Sequence, residues 1–391
     1  MKKILGLLLA LCLIAGCTSA FAAGIPVEQV KIGYITIGDE NEGYSANHLN
    51  GLKEAQAALG ISDDQVLCKY NVPETEDAYE AAIDLAEQGC NIIFATSFGH
   101  ESYVFQAAAE YPNIQFCHAT GNSAMNSELT NVHNYFYAVY ESRYVSGVVA
   151  GMKLAQMIED GTITAENAKI GYVGAFPFAE VISGFTSFFL GARSQCPSVT
   201  MEVRYTNSWA DMALEKETAE ALIADGCVLI SQHADTTGAP SACEAAGVPC
   251  VGYNISMLPV APNTALTSAA GDWGAYVTYA VKCLIDGEEI DRDWCKGYAE
   301  GAVYTTELND SIVAPGTAEK VAELEAGFKA GTVKVFDTSA FTVNGETLTS
   351  YTTAYGLDGI EMVSDGEFHE SSVRSAPYFD ILIDGITAVV E

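Results

Sequence analysis

The feature that most constrains this chain is a pattern that occurs twice. Lys31-Ile32-Gly33-Tyr34-Ile35 returns as Lys169-Ile170-Gly171-Tyr172-Val173, 138 residues on. Gly89-Cys90 followed by NIIFATSFG returns as Gly226-Cys227 followed by VLISQHADTTG, 137 residues on. Lys69-Tyr70-Asn71 has a counterpart in Arg204-Tyr205-Thr206-Asn207. Three landmarks at nearly one offset mean two related halves, each of which must satisfy the same packing rules.

Each half reads as alternating strands and helices. KIGYITIG, QVLCKYNV, NIIFAT and IQFCHAT are short apolar runs of strand length; between them, residues 47–59, 76–88 and 102–110 carry apolar positions at helical spacing. The second half gives KIGYVGA, TMEVRYT, VLISQ and PCVGYN, with helices over 181–193, 212–225 and 239–246. Alternation of this kind implies parallel sheets covered by helices, so the fold class is α/β with two doubly wound lobes and a cleft between them.

Ligands of open parallel sheets bind beyond the carboxyl ends of the strands. Eight strand-end loops then line the cleft. From the first half they bring Asp39, Tyr44 and Phe98, and from the second Phe176, Phe178, Glu180, Trp209, Asp235 and Asn254. Asp272, where LTSAAGDW gives way to a helix starting at Trp273, completes the candidate set. Large rings stack on flat heteroaromatic faces, and the carboxylates accept hydrogen bonds from N–H groups. Lys and Arg are missing from these loops, which disfavours a phosphorylated ligand. His118 and His233 also lie at strand ends, where they read as satisfied core histidines.

The rest of the sequence sets compartment and partners. Met1-Lys2-Lys3 followed by an apolar run to Ala15 has the form of a secretory signal. Ile14-Ala15-Gly16-Cys17 has the form of a lipobox, with Cys17 as the lipidated residue; cleavage after Ala22 is the alternative. With 18 basic against 51 acidic residues, the surface disfavours nucleic acid and anionic lipid. The nine cysteines from Cys68 to Cys295 show neither CxxC nor metal-ligand spacing, and they read as buried thiols or as one or two disulfides. No metal and no cofactor is expected.

Ala95-Thr96-Ser97-Phe98-Gly99, His118-Ala119-Thr120-Gly121, Tyr140-Glu141-Ser142-Arg143-Tyr144, Phe176-Pro177-Phe178-Ala179-Glu180-Val181, Asn207-Ser208-Trp209 and Gln232-His233-Ala234-Asp235 resemble motifs of one family. It is the basic membrane protein (BMP, Med or PnrA-like) family of ABC-transporter substrate-binding lipoproteins. The likeness covers about residues 28–290 and 366–386. It implies a type I periplasmic-binding-protein-like fold and no enzymatic activity. It also implies a purine base or nucleoside as ligand, a permease and ATPase as partners, and a position on the extracytoplasmic face of the cell membrane. Asn41-Glu42-Gly43-Tyr44-Ser45 stands where the nucleoside binders carry an Asp-Lys-Ser-Phe-Asn type motif, which resembles the free-base branch. Tyr44 replaces that branch's Trp, and Asn254 an acid. Adenine is the first choice.

The implied organisation is a signal peptide over 1–16, an anchored linker over 17–29, a first lobe over 30–144 and 269–288, and a second over 145–268. Residues 289–391 form a C-terminal segment whose lobe the sequence does not assign. A ligand-binding sensor subunit is a second functional reading. A glycoside-cleaving enzyme using Glu180 with Asp39 or Asp235 is a third. In a bacterial host, Cys17→Ser is expected to move the protein from the membrane fraction to the soluble exported fraction; a wild-type protein already soluble and beginning at Ala23 would refute the lipid anchor.

Overall fold

A computed structural model describes residues 24–389 except 355, 356 and 358. Cys17 and the signal segment lie outside the described residues. The chain forms two sheets of related topology. In the first half the strands are β1 (Ile32–Ile35), β2 (Val66–Lys69), β3 (Ile92–Ala95), β4 (Gln115–Ala119) and β5 (Val132–Tyr137). The second half supplies β6 (Lys169–Gly174), β7 (Thr200–Tyr205), β8 (Leu229–His233), β9 (Cys250–Tyr253) and β10 (Ala265–Gly271). The first sheet runs β2-β1-β3-β4-β5 and the second β7-β6-β8-β9-β10, the same order, so the sequence repeat is a structural one. Every one of these pairings is parallel.

The helices begin and end for local reasons. Helix α1 (Gly43–Leu59) starts where the Glu42 carboxylate accepts hydrogen bonds from the amides of Tyr44 (2.6 Å) and Ser45 (2.8 Å). It ends at Gly60, whose φ of 72° suits a residue without a β-carbon. Helices α2 (Glu76–Glu87) and α3 (Glu101–Glu110) follow. The long helix α4 (Val139–Glu159) leaves the first sheet and packs along α5 (Ala179–Gln195) of the second half. Then come α6 (Met212–Ala224), α7 (Gly238–Ala246), α8 (Trp273–Asp286) and α9 (Thr317–Lys329).

The C-terminal segment serves both sheets. Strand β11 (Asp293–Lys296) adds to β5 in the first. Strand β12 (Val303–Thr305) pairs antiparallel with β10, and after the small hairpin β13 (Val363–Ser364) and β14 (Glu367–Phe368), strand β15 (Ile386–Val389) adds to β7. The first sheet therefore extends to Lys296 rather than ending at 288, residues 269–271 belong to the second sheet, and the first crossing falls at Ala138 rather than near Tyr144. Trp294, which reads as part of a charged connection, is buried in β11 with its ring 5.3 Å from that of Tyr276.

The α4–α5 contact explains why α4 lacks a readable apolar stripe. Both its faces are covered, and buried Ser142, Ser146, Gly147, Ala150 and Gly151 let the helix axes approach. A β-carbon at Gly147 would lie 2.0 Å from the carbonyl oxygen of Phe188. Gly147→Ala must push the helices apart, and overpacking of this kind costs about 1–3 kcal/mol. Urea denaturation should show the loss as a lowered midpoint; an unchanged midpoint would mean the helices do not meet there.

Candidate functional site

Four residues at the carboxyl ends of strands adopt the left-handed conformation: Asn71 (φ 55°) after β2, Thr120 (66°) after β4, Asn207 (55°) after β7 and Asn254 (64°) after β9. They occupy matched places in the two lobes. Asn tolerates this region because its side chain compensates locally; Thr120 is β-branched and strained there.

Between the strand-end loops lies a narrow cavity of about 370 Å³ counting the solvent space at its opening, lined by Ile37, Tyr44, Ser97, Phe98 and Thr120 from one lobe and Glu180, Trp209, His233, Asp235 and Tyr253 from the other. Tyr44 is held by its hydroxyl, which donates to the Thr96 carbonyl oxygen at 2.5 Å. Asp235 is fixed on both sides: its amide donates to the Trp209 carbonyl (2.8 Å), and its Oδ1 accepts from Asn254 Nδ2 (2.8 Å). Asn254 thus stands behind Asp235 rather than in the lining.

Of the ten residues nominated from the sequence, Tyr44, Phe98, Glu180, Trp209 and Asp235 come together in this lining. Phe176 and Phe178 do not. Two residues apart across Pro177, they stack on each other at 5.1 Å and 11°, and the edge of Phe176 meets Trp209 at 5.2 Å. Phe98 of the opposite lobe reaches Phe178 at 5.8 Å. These rings cover one another at the cavity mouth and back the Trp209 ring.

Asp39 and Asp272 stand elsewhere. Asp39 Oδ1 accepts from the Asn41 amide and side chain, both at 2.9 Å, and closes its own turn. Asp272 Oδ1 accepts from the Gly274 amide at 2.8 Å and caps α8. Both carboxylates serve the backbone next to them.

The electrostatics concentrate on the second lobe. Glu180, 17% exposed in the first turn of α5, has its pKa pushed up to about 7 by burial, with Arg143 pulling it back. Burial, followed by the neighbouring acids Glu42, Glu215 and Glu180, raises that of Asp235 well above the usual carboxylate range. His233 lies 3.4 Å from Glu180 through Nε2, and burial together with Arg143 keeps it neutral. A neutral histidine, one acid close to half ionised at neutral pH and one whose ionised form burial disfavours give the cavity both donors and acceptors.

Sequence reading missed His233, set aside as a core residue, and Arg143, which arrives from α4 and not from any strand-end loop. Tyr253 sits in a recognised loop but was not singled out. All nine cysteines from Cys68 to Cys295 are free thiols, and seven of them are buried. Among the described residues no group of His, Cys, Asp or Glu could hold a metal ion, and no helix is long and apolar enough to cross a membrane.

Two α/β lobes facing a small polar and aromatic cavity define a solute-binding protein. Residues 34–331 match the family described as ABC transporter substrate-binding protein PnrA-like (Bmp), and the chain belongs to that family. It is 33% identical over 311 residues to a purine-binding protein of Brucella abortus, across 79% of this chain and 83% of the relative. It is 32% identical over 270 residues to a putative ABC transporter glucose-binding protein of Haloferax volcanii, across 68% of this chain and 64% of the relative.

Among solved structures, an ABC transporter solute-binding protein from Aeropyrum pernix superposes with a TM-score of 0.64 at 18% identity, covering 78% of this chain and 93% of that one. One from Conexibacter woesei gives 0.59 at 20% identity, covering 78% and 98%. These likenesses show the periplasmic-binding-protein-like fold. Family and relatives are solute-binding proteins, not enzymes. The family works on the extracytoplasmic side as the substrate-binding component of an ABC transporter, which implies a small-molecule ligand and permease and ATPase partners.

Of the three tryptophans, Trp273 is buried under the His48 ring (3.9 Å) and Trp294 lies in β11, while Trp209 lines the cavity. Stacking on an aromatic ring is worth about 1–3 kcal/mol by alanine substitution. Trp209→Ala should therefore weaken ligand affinity by roughly 5- to 150-fold. Ligand-induced fluorescence should survive in Trp294→Phe and be largely lost in Trp209→Phe. A full signal in Trp209→Phe would remove Trp209 from the site.

Proposed function

We propose that this protein captures an unphosphorylated purine, a free base with adenine as first choice or else a nucleoside, and delivers it to an ABC permease. Cys17 anchors it by lipid to the extracytoplasmic face of the membrane. The observation that carries the reading is the cavity's make-up: rings from both lobes, two carboxyl groups, and no lysine or arginine in the lining. A planar heterocycle places its faces against Trp209, Phe98, Tyr44 and Tyr253. Its N–H groups donate to Glu180, and protonated Asp235 donates to a ring nitrogen. The purine-binding relative supports this chemistry.

A sugar is the second reading, favoured by the glucose-binding relative. A pyranose carries hydroxyls around its whole rim, each needing a partner when buried. Five of the ten lining residues are apolar or aromatic, which suits a heterocycle better. Calorimetry with adenine, adenosine, adenosine monophosphate and glucose decides between them. The base should bind, with the monophosphate weaker by about 100-fold or more, roughly 2.7 kcal/mol at 1.36 kcal/mol per decade. Tight binding of glucose, or of the monophosphate, would overturn the purine reading.

A further inference from the structure

Arg143 is fully buried, yet nothing in a lining of rings and acids calls for a cation behind it. It comes from the first turns of α4, immediately after the chain crosses between the lobes. Its Nη1 donates to the Gln232 carbonyl oxygen at 2.7 Å, and its guanidinium carbon lies 3.7 Å from the centre of the Tyr253 ring and 5.9 Å from that of Tyr172. Nε and Nη2 have no hydrogen-bond partner among the described residues. Burying a guanidinium with one acceptor is costly unless a negative charge lies near.

Two acids are available. Asp235 is held among other carboxyl groups, which together with burial raise its pKa well above the usual carboxylate range and disfavour its ionised form. Glu180 is the one whose ionised form Arg143 stabilises. A β-carbon at Gly184 would lie 2.4 Å from His233 Nδ1 and 3.8 Å from Arg143 Nε, and His233 Nε2 lies 3.4 Å from Glu180, so the neutral His233 ring stands between the two charges. We infer that Arg143 is a positioning residue: it favours the ionised form of Glu180 by acting as that group's buried counter-charge, and so balances the carboxylate that faces the ligand. This rests on the purine reading and deepens it. A site with one carboxylate balanced by one fixed cation selects a neutral ligand that donates N–H to Glu180, and rejects anions, which would meet Glu180, and cations, which would leave Arg143 unbalanced.

The groups that face Glu180 are His233 on β8, Arg143 on α4, Asp235 after β8, Tyr253 on β9, and Tyr44 and Tyr137 of the first lobe. Among these only Arg143 carries a permanent charge. Because burial raises the Glu180 pKa to about 7, its carboxyl is largely protonated below that pH and ionised above it. An N–H donor binds the ionised form. Affinity must therefore strengthen as pH rises through 7 and weaken below it.

The test is a calorimetric pH series with adenine on the full chain, from pH 5.5 to 9. Wild type should show its affinity midpoint near 7. Arg143→Gln should move the midpoint upward by about one unit, the low end of what a neighbouring opposite charge does, with affinity at pH 7 down about fivefold and recovered at pH 9. Arg143→Lys, which keeps the charge but not the stack on Tyr253, should hold the midpoint. In Glu180→Gln the pH dependence should vanish. An unmoved midpoint in Arg143→Gln overturns the inference. If that variant does not fold, Arg143→Lys decides, and a midpoint raised by a unit or more overturns it. Wild type that fails to bind adenine or adenosine at any pH refutes the purine reading instead, so the two failures are distinguishable.

Discussion

Everything at the site depends on how three chain crossings hold the carboxyl edges of two sheets face to face. The first passes through Ala138, the second through Asp272, and the third runs from Gly297 to Ala302. They are bonded to one another. The Ala138 amide donates to Lys296, the Asp272 amide donates to Ala302, both at 2.8 Å, and the Tyr298 amide donates to the Glu141 carboxylate at 2.7 Å. A β-carbon at Gly271 would sit 2.2 Å from the Tyr137 ring, so glycine is what lets the first two crossings touch. With their backbone groups satisfied mutually, the crossings fix an axis about which one lobe can turn against the other.

The crossings also explain the division of labour in the cavity. The first lobe offers mostly shape and backbone: Tyr44 pinned to Thr96, Phe98 at the mouth, and strained Thr120. The second carries the charges, because α5 begins at the cavity and α4 delivers Arg143 beneath β8 and β9. Glu180 sits in the first turn of α5, where the helix dipole favours its ionised form. That effect and Arg143 act in the same sense against the burial that raises its pKa.

Much of this was legible in the sequence, for stated reasons. The strands that open each half and the helices after them follow from local periodicity and from the repeat, and structural helices begin within four residues of their expected starts. Of the unread elements, β5 and β10 are buried along their whole length, so their patterning gives no single face, while β11 and β12 are short strands in the C-terminal segment. At the candidate site, strand-end position picked out Tyr44, Phe98, Glu180, Trp209 and Asp235, which the structure brings into one lining. Asp39 and Asp272 misled because an aspartate before a turn or helix serves its own backbone as readily as a ligand. Phe176 and Phe178 misled because sequence spacing does not show that two rings across a proline will stack on each other. Arg143 lay within the Tyr140–Tyr144 motif without a role, since only the tertiary crossing brings α4 against Gln232 and Tyr253.

The same geometry sets what a ligand must contribute. Across the cavity mouth the lobes meet through the Phe98–Phe178 ring contact and through the Gly43 amide, which donates to the Asp235 carbonyl oxygen at 3.2 Å. A β-carbon at Gly43 would stand 2.8 Å from that oxygen, so this approach requires glycine in the Asn41–Ser45 stretch. One ring pair and one amide hydrogen bond are each worth about 0.5–1.5 kcal/mol. Both rings remain about two-fifths exposed, which reduces the first contribution. Contacts this modest do not hold two lobes shut on their own. A molecule that touched both walls at once, Tyr44 and Phe98 on one side and Trp209, Glu180 and Asp235 on the other, would favour the closed form by its differential affinity for it.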